Sequence, residues 1–291
     1  MEQRRRAAYT PAMRIARVLT RLNLGGPARQ VLASDPLLCA RGHVIRIFVG
    51  TPEPGEGDLF EAARSRGLDL VRVPGLSRGW SLTGDLRARA FLRREIEAFA
   101  PDVVHTHASK AGALARSAVR GRPETARVHT FHGHVLEGYF APGVSRGLAA
   151  IERKLAAATD RIVAVSHATA DDLVRLGVTT GEKLVVIPPG IELAPFTEHA
   201  PGVGALHARI GASRDAQLVG VVGRLADVKR PEWAVDVFEL LRARYPRLQL
   251  GFGGAGEQRG ALERRIRARD AAGQARVHML GAVEDMGAVL C

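Results

Sequence analysis

The stretch DLRARAFLRREIEAFAPDVVHTH, residues 85–107, decides the fold. Residues 85–100 mix apolar and charged side chains in the pattern of an amphipathic helix, and PDVVHTH then gives an apolar run of strand length. A further apolar run, LDLVRVPG at residues 68–75, precedes this stretch. Strand, helix and strand in this order predict a parallel, doubly wound sheet.

The same alternation continues along most of the chain. Apolar runs of strand length lie at residues 13–19, 43–50, 68–75, 101–107, 126–133, 161–166 and 182–190. After a polar region containing Pro and Gly, the pattern restarts at residues 217–225, 248–256 and 275–281. A chain of 291 residues also exceeds the usual single core. We therefore predict an α/β protein with an N-terminal tail (1–12), a Rossmann-like domain (13–196), a linker (197–212) and a partial second Rossmann-like domain (213–291).

The net charge of +12 suggests nucleic acid, anionic lipid or a phosphate-bearing ligand as a partner. However, the arginines are scattered through most helical segments, and aromatic residues make up only 5% of the chain. That composition lacks the aromatic side chains on which bases stack, so we expect no nucleic-acid partner. A solvated basic surface and a peripheral contact with acidic membrane both remain open.

The sequence carries no recognisable targeting or spanning segment. Arginines interrupt the apolar residues that follow the basic N-terminus, and no apolar run reaches the ~18 residues that a membrane span needs. Cys39 and Cys291 form neither a disulfide framework nor a metal-type spacing. We expect a cytoplasmic protein.

Three candidate site elements follow strands that the common order 3-2-1-4-5-6 makes neighbours. The first strand leads into Gly25 and Gly26, the fourth ends at His107, and the fifth leads into His132. In such sheets, ligands bind beyond the carboxyl ends of the strands where the winding reverses. The segment GGPARQ lacks the Gly-x-Gly-x-x-Gly pattern of dinucleotide-binding proteins. The glycine pair indicates either a close approach of the backbone to a ligand or an ordinary tight turn.

The histidines allow several roles. His105, His107, His132 and His134 could in principle converge on a metal ion, but zinc sites usually also contain cysteine or carboxylate. We expect no metal site. His129 is expected to point into the sheet packing, whereas His132, just past the strand end, is the better site candidate.

Eight segments, in this order, resemble the retaining glycosyltransferases of sequence family 4, from about Arg14 to the last residue. The family has the GT-B architecture, with two Rossmann-like domains, an acceptor-side domain and a nucleotide-sugar donor domain. The segments are GGPARQV (25–31), PDVVHTHASKAG (101–112), VHTFHGHVLEGYF (128–140), IVAVSHATADDLVRLGV (162–178), VVIPPGIEL (185–193), GVVGRLADVKRP (220–231), GGAGEQRGALE (253–263) and HMLGAVEDM (278–286).

The resemblance implies roles for residues of the first domain. The family's glycine-rich loop lies near the donor phosphates and the acceptor, which implies that role for Gly25 and Gly26. The histidine after the fifth strand contacts the transferred sugar, so we predict that His132 positions the sugar and stabilises positive charge. His107 and Glu137 complete the predicted substrate-binding set, with Glu137 as a candidate base. Because no nucleophile stands out, we favour departure and attack on the same face of the sugar.

The resemblance assigns the grip on the donor diphosphate to Arg224 and Lys229. Chemistry supports this assignment, because preorganised cations best stabilise the charge of a departing nucleoside diphosphate. Pro231 suits the first turn of a helix whose free N–H groups would face the same anion. The alternative is a surface ion pair with Asp227 or Glu232. The resemblance further implies that three glycines line the nucleotide site, namely Gly253, Gly254 and Gly256.

The predicted reaction needs no cofactor beyond the donor substrate. Metal-using glycosyltransferases usually hold their cation with Asp-x-Asp, and no two aspartates stand at that spacing. The predicted acceptor is a glycan, a lipid-linked molecule or a small molecule. A nucleotide-sugar epimerase and a noncatalytic nucleotide-sugar binding protein remain as alternatives.

The sequence departs from the family in two places. The family commonly has Asn at the position of Pro189. It also has two glutamates seven residues apart that hold the ribose and the sugar, whereas Glu232 and Glu239 lie inside the first helix of the second domain. We therefore expect that the second domain is truncated and that the chain alone is inactive.

Overall fold

The computed structural model describes residues 11–23, 25–53, 56–133, 136, 141–197, 205–269 and 276–283. Contacts divide the chain into two compact units, which we call unit 1 (Met1–Ile191) and unit 2 (Glu192–Cys291). This division precedes the linker predicted at residues 197–212, and a short helix occupies part of that predicted linker.

Unit 1 contains a seven-stranded parallel sheet in the order β3-β2-β1-β4-β5-β6-β7. The strands are β1 (Arg14–Leu19), β2 (Val44–Val49), β3 (Asp69–Arg72), β4 (Val103–His107), β5 (Ala126–Phe131), β6 (Arg161–Ala164) and β7 (Leu184–Val186). Each strand coincides with a run predicted from the sequence, and the order 3-2-1-4-5-6 is confirmed. The winding reverses between β1 and β4, so their carboxyl ends form the expected ligand-binding edge.

Helices connect the successive strands of unit 1. They are α1 (Gly26–Ala40), α2 (Phe60–Ser65), α3 (Leu82–Phe99), α4 (Ser109–Ala118), α5 (Pro142–Ala157) and α6 (His167–Arg175), and a 3₁₀ turn (Gly181–Lys183) precedes β7. Helix α3 begins where the hydroxyl of Ser81 accepts a hydrogen bond from the N–H of Gly84 (3.1 Å), and it ends at Ala100 in the left-handed conformation.

The sheet of unit 1 is covered on both faces because side chains alternate along each strand. Ile15 and Leu19 of β1 pack in one cluster with Val31 of α1. Ala16 and Val18 belong to the opposite cluster, which includes residues of α3 and α4. Full burial of each large aliphatic side chain contributes about 1.5–3 kcal/mol, so both faces stabilise the sheet.

Unit 2 contains a three-stranded parallel sheet in the order β10-β9-β8. Its strands are β8 (Gln217–Val222), β9 (Leu248–Gly253) and β10 (Val277–Gly281), as the restarted pattern predicted. Its helices are α7 (Ala194–Thr197), α8 (Ala205–Ile210), α9 (Pro231–Leu241) and α10 (Arg259–Arg269), and a 3₁₀ turn (Asp227–Lys229) precedes α9. The core consists of Leu225, Val235, Phe238, Leu248, Leu250, Phe252 and Leu262.

Across the described ranges, no helix combines the length and the apolar character that crossing a bilayer requires.

Candidate functional site

Polar side chains line one face of the sheet near the carboxyl edge of unit 1. Arg17 of β1 lies beside His105 of β4, and His107 of β4 lies beside Thr130 of β5. Paired residues on neighbouring parallel strands, and residues two apart on one strand, share a face. Arg17, His105, His107 and Thr130 therefore project together, on the face that carries Asp35 of α1.

Arg17 places a charge inside this face and pairs it with Asp35. Its Nε donates to Oδ2 of Asp35 (2.9 Å) and its Nη2 donates to Oδ1 (2.6 Å), in a bidentate pair. Arg17 is 4% exposed and Asp35 is fully buried. Burial raises the pKa of Asp35, while the Arg17 guanidinium acts in the opposite direction. Removing either partner would leave the other charge buried and uncompensated.

A hydrogen-bonded chain of histidines continues from Arg17 to the sheet edge. Nη1 of Arg17 lies 2.8 Å from Nδ1 of His105 and 3.2 Å from Nε2 of His107. Nδ1 of His107 lies 2.9 Å from Nε2 of His132, and Nε2 of His105 lies 2.8 Å from Oγ1 of Thr130. The rings of His105 and His107 stack at 4.4 Å, and those of His107 and His132 at 5.2 Å. Arg17 is thus linked to His132 through His107.

These histidines are neutral at pH 7. Burial lowers the pKa of His105 and of His107 well below the ordinary value, and nearby positive charge, including that of Arg17, adds to the effect. Burial also lowers the pKa of His132 to about 4. The hydrogen-bonded chain of histidines therefore acts through hydrogen bonds, and its imidazole rings carry no charge.

The structure separates the predicted roles of His107 and His132. His132 follows the end of β5, is partly buried, and precedes Gly133 in the left-handed region (φ 96°). His107 is only 2% exposed, and both of its ring nitrogens contact other side chains. His107 therefore supports His132 from beneath and does not present a free nitrogen to a substrate. His134 and Glu137 lie outside the described residues.

His129 packs against the sheet, as the sequence indicated, and the structure shows that it projects from the opposite face. It is fully buried, its Nδ1 lies 2.8 Å from Oγ1 of Thr106, and its ring packs edge-on against Phe131. On the same side, Arg116 of α4 pairs with Glu152 of α5 at 2.7 Å, and both side chains are buried. His129 contributes to packing on the face opposite to the one that carries His107.

The backbone after β1 carries the two predicted glycines in ordinary conformations, whereas the backbone after β4 contains one unusual residue. Gly25 is the N-cap of α1, and its N–H donates to the side chain of Asn23 (3.1 Å). A Cβ on Gly26 would meet open space, and neither glycine has a positive φ. Ala108, directly after His107, has φ 62° and ψ 160°, a region that favours glycine. Local strain is therefore stored beside the histidine chain.

Arg224 and Lys229 lie on the loop between β8 and α9 in unit 2. Both are exposed, while Leu225 and Ala226 between them are buried and anchor the loop. The two acidic residues considered as partners make other contacts, since Glu232 lies near Arg230 (4.0 Å) and Asp227 accepts from Gln258.

Helix α9 begins immediately after this loop, with Pro231 at its N-terminus. Arg230, the N-cap residue, is in the left-handed conformation (φ 49°) and gives no side-chain hydrogen bond to the first turn. Pro231 has no N–H and the N–H of Trp233 donates to the carbonyl of Arg230 (3.1 Å), so the free N–H groups expected from the sequence are not all available. This loop instead offers an anion the positive end of the helix dipole and the exposed ammonium of Lys229.

Glycines allow this loop to lie directly against the loop after β9. The N–H of Gly223 donates to the carbonyl of Gly253 (2.8 Å), and that of Leu225 donates to the carbonyl of Ala255 (2.9 Å). Gly254 (φ 151°) has no space for a Cβ, which would lie 1.8 Å from the oxygen of Gly223. Gly256 (φ 157°) is similarly confined, as its Cβ would lie 2.2 Å from the oxygen of Leu225. Backbone packing alone thus accounts for these two predicted site glycines.

In the part of the chain that the structure describes, no group of three or more His, Cys, Asp or Glu side chains is arranged to hold a metal ion. Around His107, both ring nitrogens are engaged, one of them by the guanidinium of Arg17, whose charge opposes a second cation there. The described histidines fit hydrogen bonding.

Sequence reasoning missed Arg17 and Asp35. A signal was present, because Arg17 interrupts the apolar strand RIARVL, and an arginine buried in a central strand requires a partner. Asp35 likewise stands between apolar residues in VLASDPLL.

A model described as Glycosyltransferase Family 4 matches residues 24–194, more than half of the chain. The D-inositol 3-phosphate glycosyltransferase of Xylanimonas cellulosilytica is 31% identical over 240 residues, which cover 75% of this chain and 55% of that protein. The UDP-Gal:alpha-D-GlcNAc-diphosphoundecaprenol alpha-1,3-galactosyltransferase of Escherichia coli is 32% identical over 169 residues, covering 56% and 43% respectively. The chain spans about half the length of these curated relatives.

Solved structures share the fold. HepE of Anabaena, crystallised with UDP and glucose, superimposes with a TM-score of 0.75 at 17% identity, covering 95% of this chain and 71% of that one. Sucrose-phosphate synthase of Thermosynechococcus elongatus gives a TM-score of 0.72 at 17% identity, with coverage of 95% and 73%. At this identity the likeness concerns the fold, and it confirms the predicted GT-B class.

Proposed function

The chain belongs to glycosyltransferase family 4, and on this premise we propose that it acts in a retaining glycosyltransferase. The enzyme would move a sugar from a nucleotide-diphosphate sugar to an acceptor hydroxyl. The observation that carries the proposal is the exposed pair Arg224 and Lys229, next to the uncapped N-terminus of α9. Forked guanidinium donors, a compact ammonium and the positive end of a helix dipole together suit a diphosphate.

The diphosphate leaving group explains why such cations matter for rate. Cleavage of the sugar–phosphate bond leaves additional negative charge on the nucleoside diphosphate, and preorganised donors stabilise that charge as it develops. Arg224 and Lys229 supply this stabilisation in the proposal, so the reaction proceeds without a metal ion or other cofactor.

His132 has the complementary role at the edge of unit 1. Its neutral imidazole, with a pKa lowered to about 4 by burial, suits a hydrogen bond to the transferred sugar. Retention of configuration follows from the family premise, with departure and attack on the same face of the sugar.

The names of the relatives suggest donors and acceptors for the first assays. HepE was solved with UDP and glucose, and the Escherichia coli relative is named for transfer from UDP-galactose to a diphosphoundecaprenol-linked sugar. The Xylanimonas cellulosilytica relative is named for inositol 3-phosphate. We therefore propose a UDP-linked hexose as donor and a phosphorylated acceptor, either small or lipid-linked.

A peripheral contact with acidic membrane at the cytoplasmic face belongs to the same proposal. Trp80 just before α3, and Leu82 and Leu86 within its first two turns, are 78%, 79% and 57% exposed. The exposed Arg78 and Arg87 lie beside them in sequence. Apolar side chains among arginines suit an anionic bilayer surface. Co-sedimentation should be stronger with vesicles containing phosphatidylglycerol than with phosphatidylcholine alone, and Leu82→Ser should weaken it. Equal sedimentation with both vesicle types would refute the contact.

A panel of nucleotide sugars tests the reaction, with nucleoside diphosphate release measured with and without acceptors. Because the chain spans about half the length of its relatives, the assay is run on this chain and on a longer version of the protein. Acceptor-dependent release with the donor's anomeric configuration kept in the product supports the proposal. Release with epimerised sugar and no acceptor indicates an epimerase, and binding without turnover in both versions indicates a binding protein.

Calorimetry with UDP tests the cation pair directly. Arg224→Ala and Lys229→Ala should each weaken binding by about 1.5–3 kcal/mol, the contribution of a charge-assisted hydrogen bond. Arg267→Ala is the matched control, because Arg267 is exposed on the last turn of α10 and lies away from the carboxyl edge. Unchanged UDP affinity in both test variants would refute the proposed grip.

In the activity assay, His132→Ala should lower turnover much more than His129→Ala, whose main effect should be on stability. Chelator treatment should leave activity intact. Loss of activity with a chelator and its recovery with zinc would overturn the cation-independent mechanism.

A further inference from the structure

The contacts that join Asp35 to His132 have a defined direction. Arg17 has only N–H donors, so each ring nitrogen that its Nη1 contacts must present a lone pair. These nitrogens are Nδ1 of His105, at 2.8 Å, and Nε2 of His107, at 3.2 Å. Asp35 fixes the guanidinium in this orientation by occupying its Nε and Nη2 groups.

The next bonds follow from the single N–H of a neutral imidazole. Since Nε2 of His107 accepts from Arg17, its proton lies on Nδ1, which therefore donates to Nε2 of His132 at 2.9 Å. By the same reasoning, Nε2 of His105 carries a proton and donates to Thr130 at 2.8 Å. Burial keeps the pKa of both rings well below the ordinary value, so each carries only one proton.

His132 is the outer end of this chain. Its Nε2 accepts from His107, so its own proton lies on Nδ1. Among the described residues, none forms a hydrogen bond with Nδ1, and the side chain is only partly buried. The neutral side chain of a histidine exposed to water favours the other tautomer, with the proton on Nε2. The hydrogen-bonded chain from Asp35 to His132 thus selects the less common tautomer of His132 and directs its Nδ1–H outwards.

We propose that Asp35, Arg17 and His107 are positioning residues that hold His132 as the Nδ1–H tautomer, ready to donate a hydrogen bond to a substrate oxygen. This inference rests on the proposed function, in which His132 contacts the transferred sugar. The matching group is a sugar hydroxyl oxygen, which accepts from the outward N–H. This role differs from stabilisation of positive charge, expected from the sequence, because an N–H donor presents its positive end to the ligand.

Nitrogen NMR of the full chain labelled with ¹⁵N-histidine tests the tautomer without any activity assay. The signals of His132 are identified by their absence in His132→Gln. In the wild type, Nδ1 should be protonated and Nε2 unprotonated, and a through-bond coupling should join Nε2 to Nδ1 of His107. Protonation of Nε2 on His132 in the wild type would overturn the proposal.

Two matched variants test the role of the chain. His107→Phe keeps a stacked ring but removes both nitrogens, so His132 should shift towards the Nε2–H tautomer. His105→Phe removes another Arg17 contact on the same strand, yet His132 should remain Nδ1–H. An unchanged tautomer in His107→Phe would refute the positioning role. If that variant fails to fold, the wild-type tautomer and the coupling decide the matter.

Kinetics separates this proposal from the proposed function. In a version of the protein that turns over, His107→Phe should lower kcat several-fold while the affinity for UDP stays within twofold of the wild type. A fixed Nδ1–H tautomer in a protein that neither binds nor transfers nucleotide sugar would leave the positioning chain standing and reject the glycosyltransferase role. Turnover with an Nε2–H tautomer would do the reverse.

Discussion

Acidification should destabilise unit 1, because His132 folds as a neutral side chain. Burial lowers its pKa from 6.5 to about 4, so between these values the unfolded chain binds a proton that the folded chain does not. The stability contributed by this group is complete above pH 6.5 and is lost as the pH falls towards 4. Between pH 7.5 and pH 5, the loss from His132 alone amounts to about 2 kcal/mol. His105, His107 and His129, with pKa values well below the ordinary value, act in the same direction.

The measurement compares the wild type with His132→Gln, whose amide oxygen still accepts from His107. Urea unfolding at pH 7.5 and pH 5 is monitored by the hydrogen exchange of peptides that cover β4 and β5, because these strands report on unit 1. The variant should lose about 2 kcal/mol less than the wild type between the two pH values. NMR titration of the ring protons should give His132 a pKa of about 4. Equal pH dependence in both proteins, or a pKa near 6.5, would refute the reasoning.

Three further substitutions, one of them with a matched control substitution, test other features of the packing by urea denaturation. Gly254→Ala should lower the free energy of unfolding by about 2–4 kcal/mol, because its Cβ would overlap a carbonyl oxygen of the neighbouring loop. The control Gly260→Ala, inside α10, should raise the free energy of unfolding by about 0.5–1 kcal/mol. Equal effects of the two substitutions would contradict the loop packing. Ala108→Gly should stabilise unit 1 by about 1 kcal/mol by relieving a backbone conformation that favours glycine, and a loss of stability would argue against strain there. Glu152→Gln should destabilise by about 3–5 kcal/mol, because it leaves the charge of Arg116 buried without its partner, and a change below about 1 kcal/mol would show that the pair is dispensable.

The sheet of unit 1 was predictable because its determinants are local. Runs such as VVHTH and ARVHTF are short, apolar and separated by helical patterns, and the common strand order 3-2-1-4-5-6 of doubly wound sheets then predicts their neighbours. The restart at Gln217 similarly predicted the strands of unit 2. The bounds of the helices depend on the residues at their ends, such as Ser81 before α3, and serine is a residue type that commonly caps a helix.

The polar network was not predictable to the same degree, because it depends on contacts between distant residues. Arg17 and Asp35 are 18 residues apart, and Arg17 and His107 are 90 apart. The sequence placed His107 at the correct strand end but could not show that its side chain lies beneath His132. The burial of a polar residue on one face of a strand is set by the helix that covers that face, and periodicity does not identify its partner.

In the loops after β8 and β9 of unit 2, the residues that determine the backbone shape differ from those that determine the chemistry of the surface. Main-chain groups tie the loop after β8 to the loop after β9, through bonds such as that from the N–H of Leu225 to the carbonyl of Ala255. The exposed side chains at positions 224 and 229 take no part in those main-chain hydrogen bonds. Mutation at these two positions can therefore change ligand preference on an unchanged backbone, whereas mutation of Gly254 or Gly256 alters the backbone itself. A variant library for a new anion specificity should randomise the exposed positions and leave the glycines fixed.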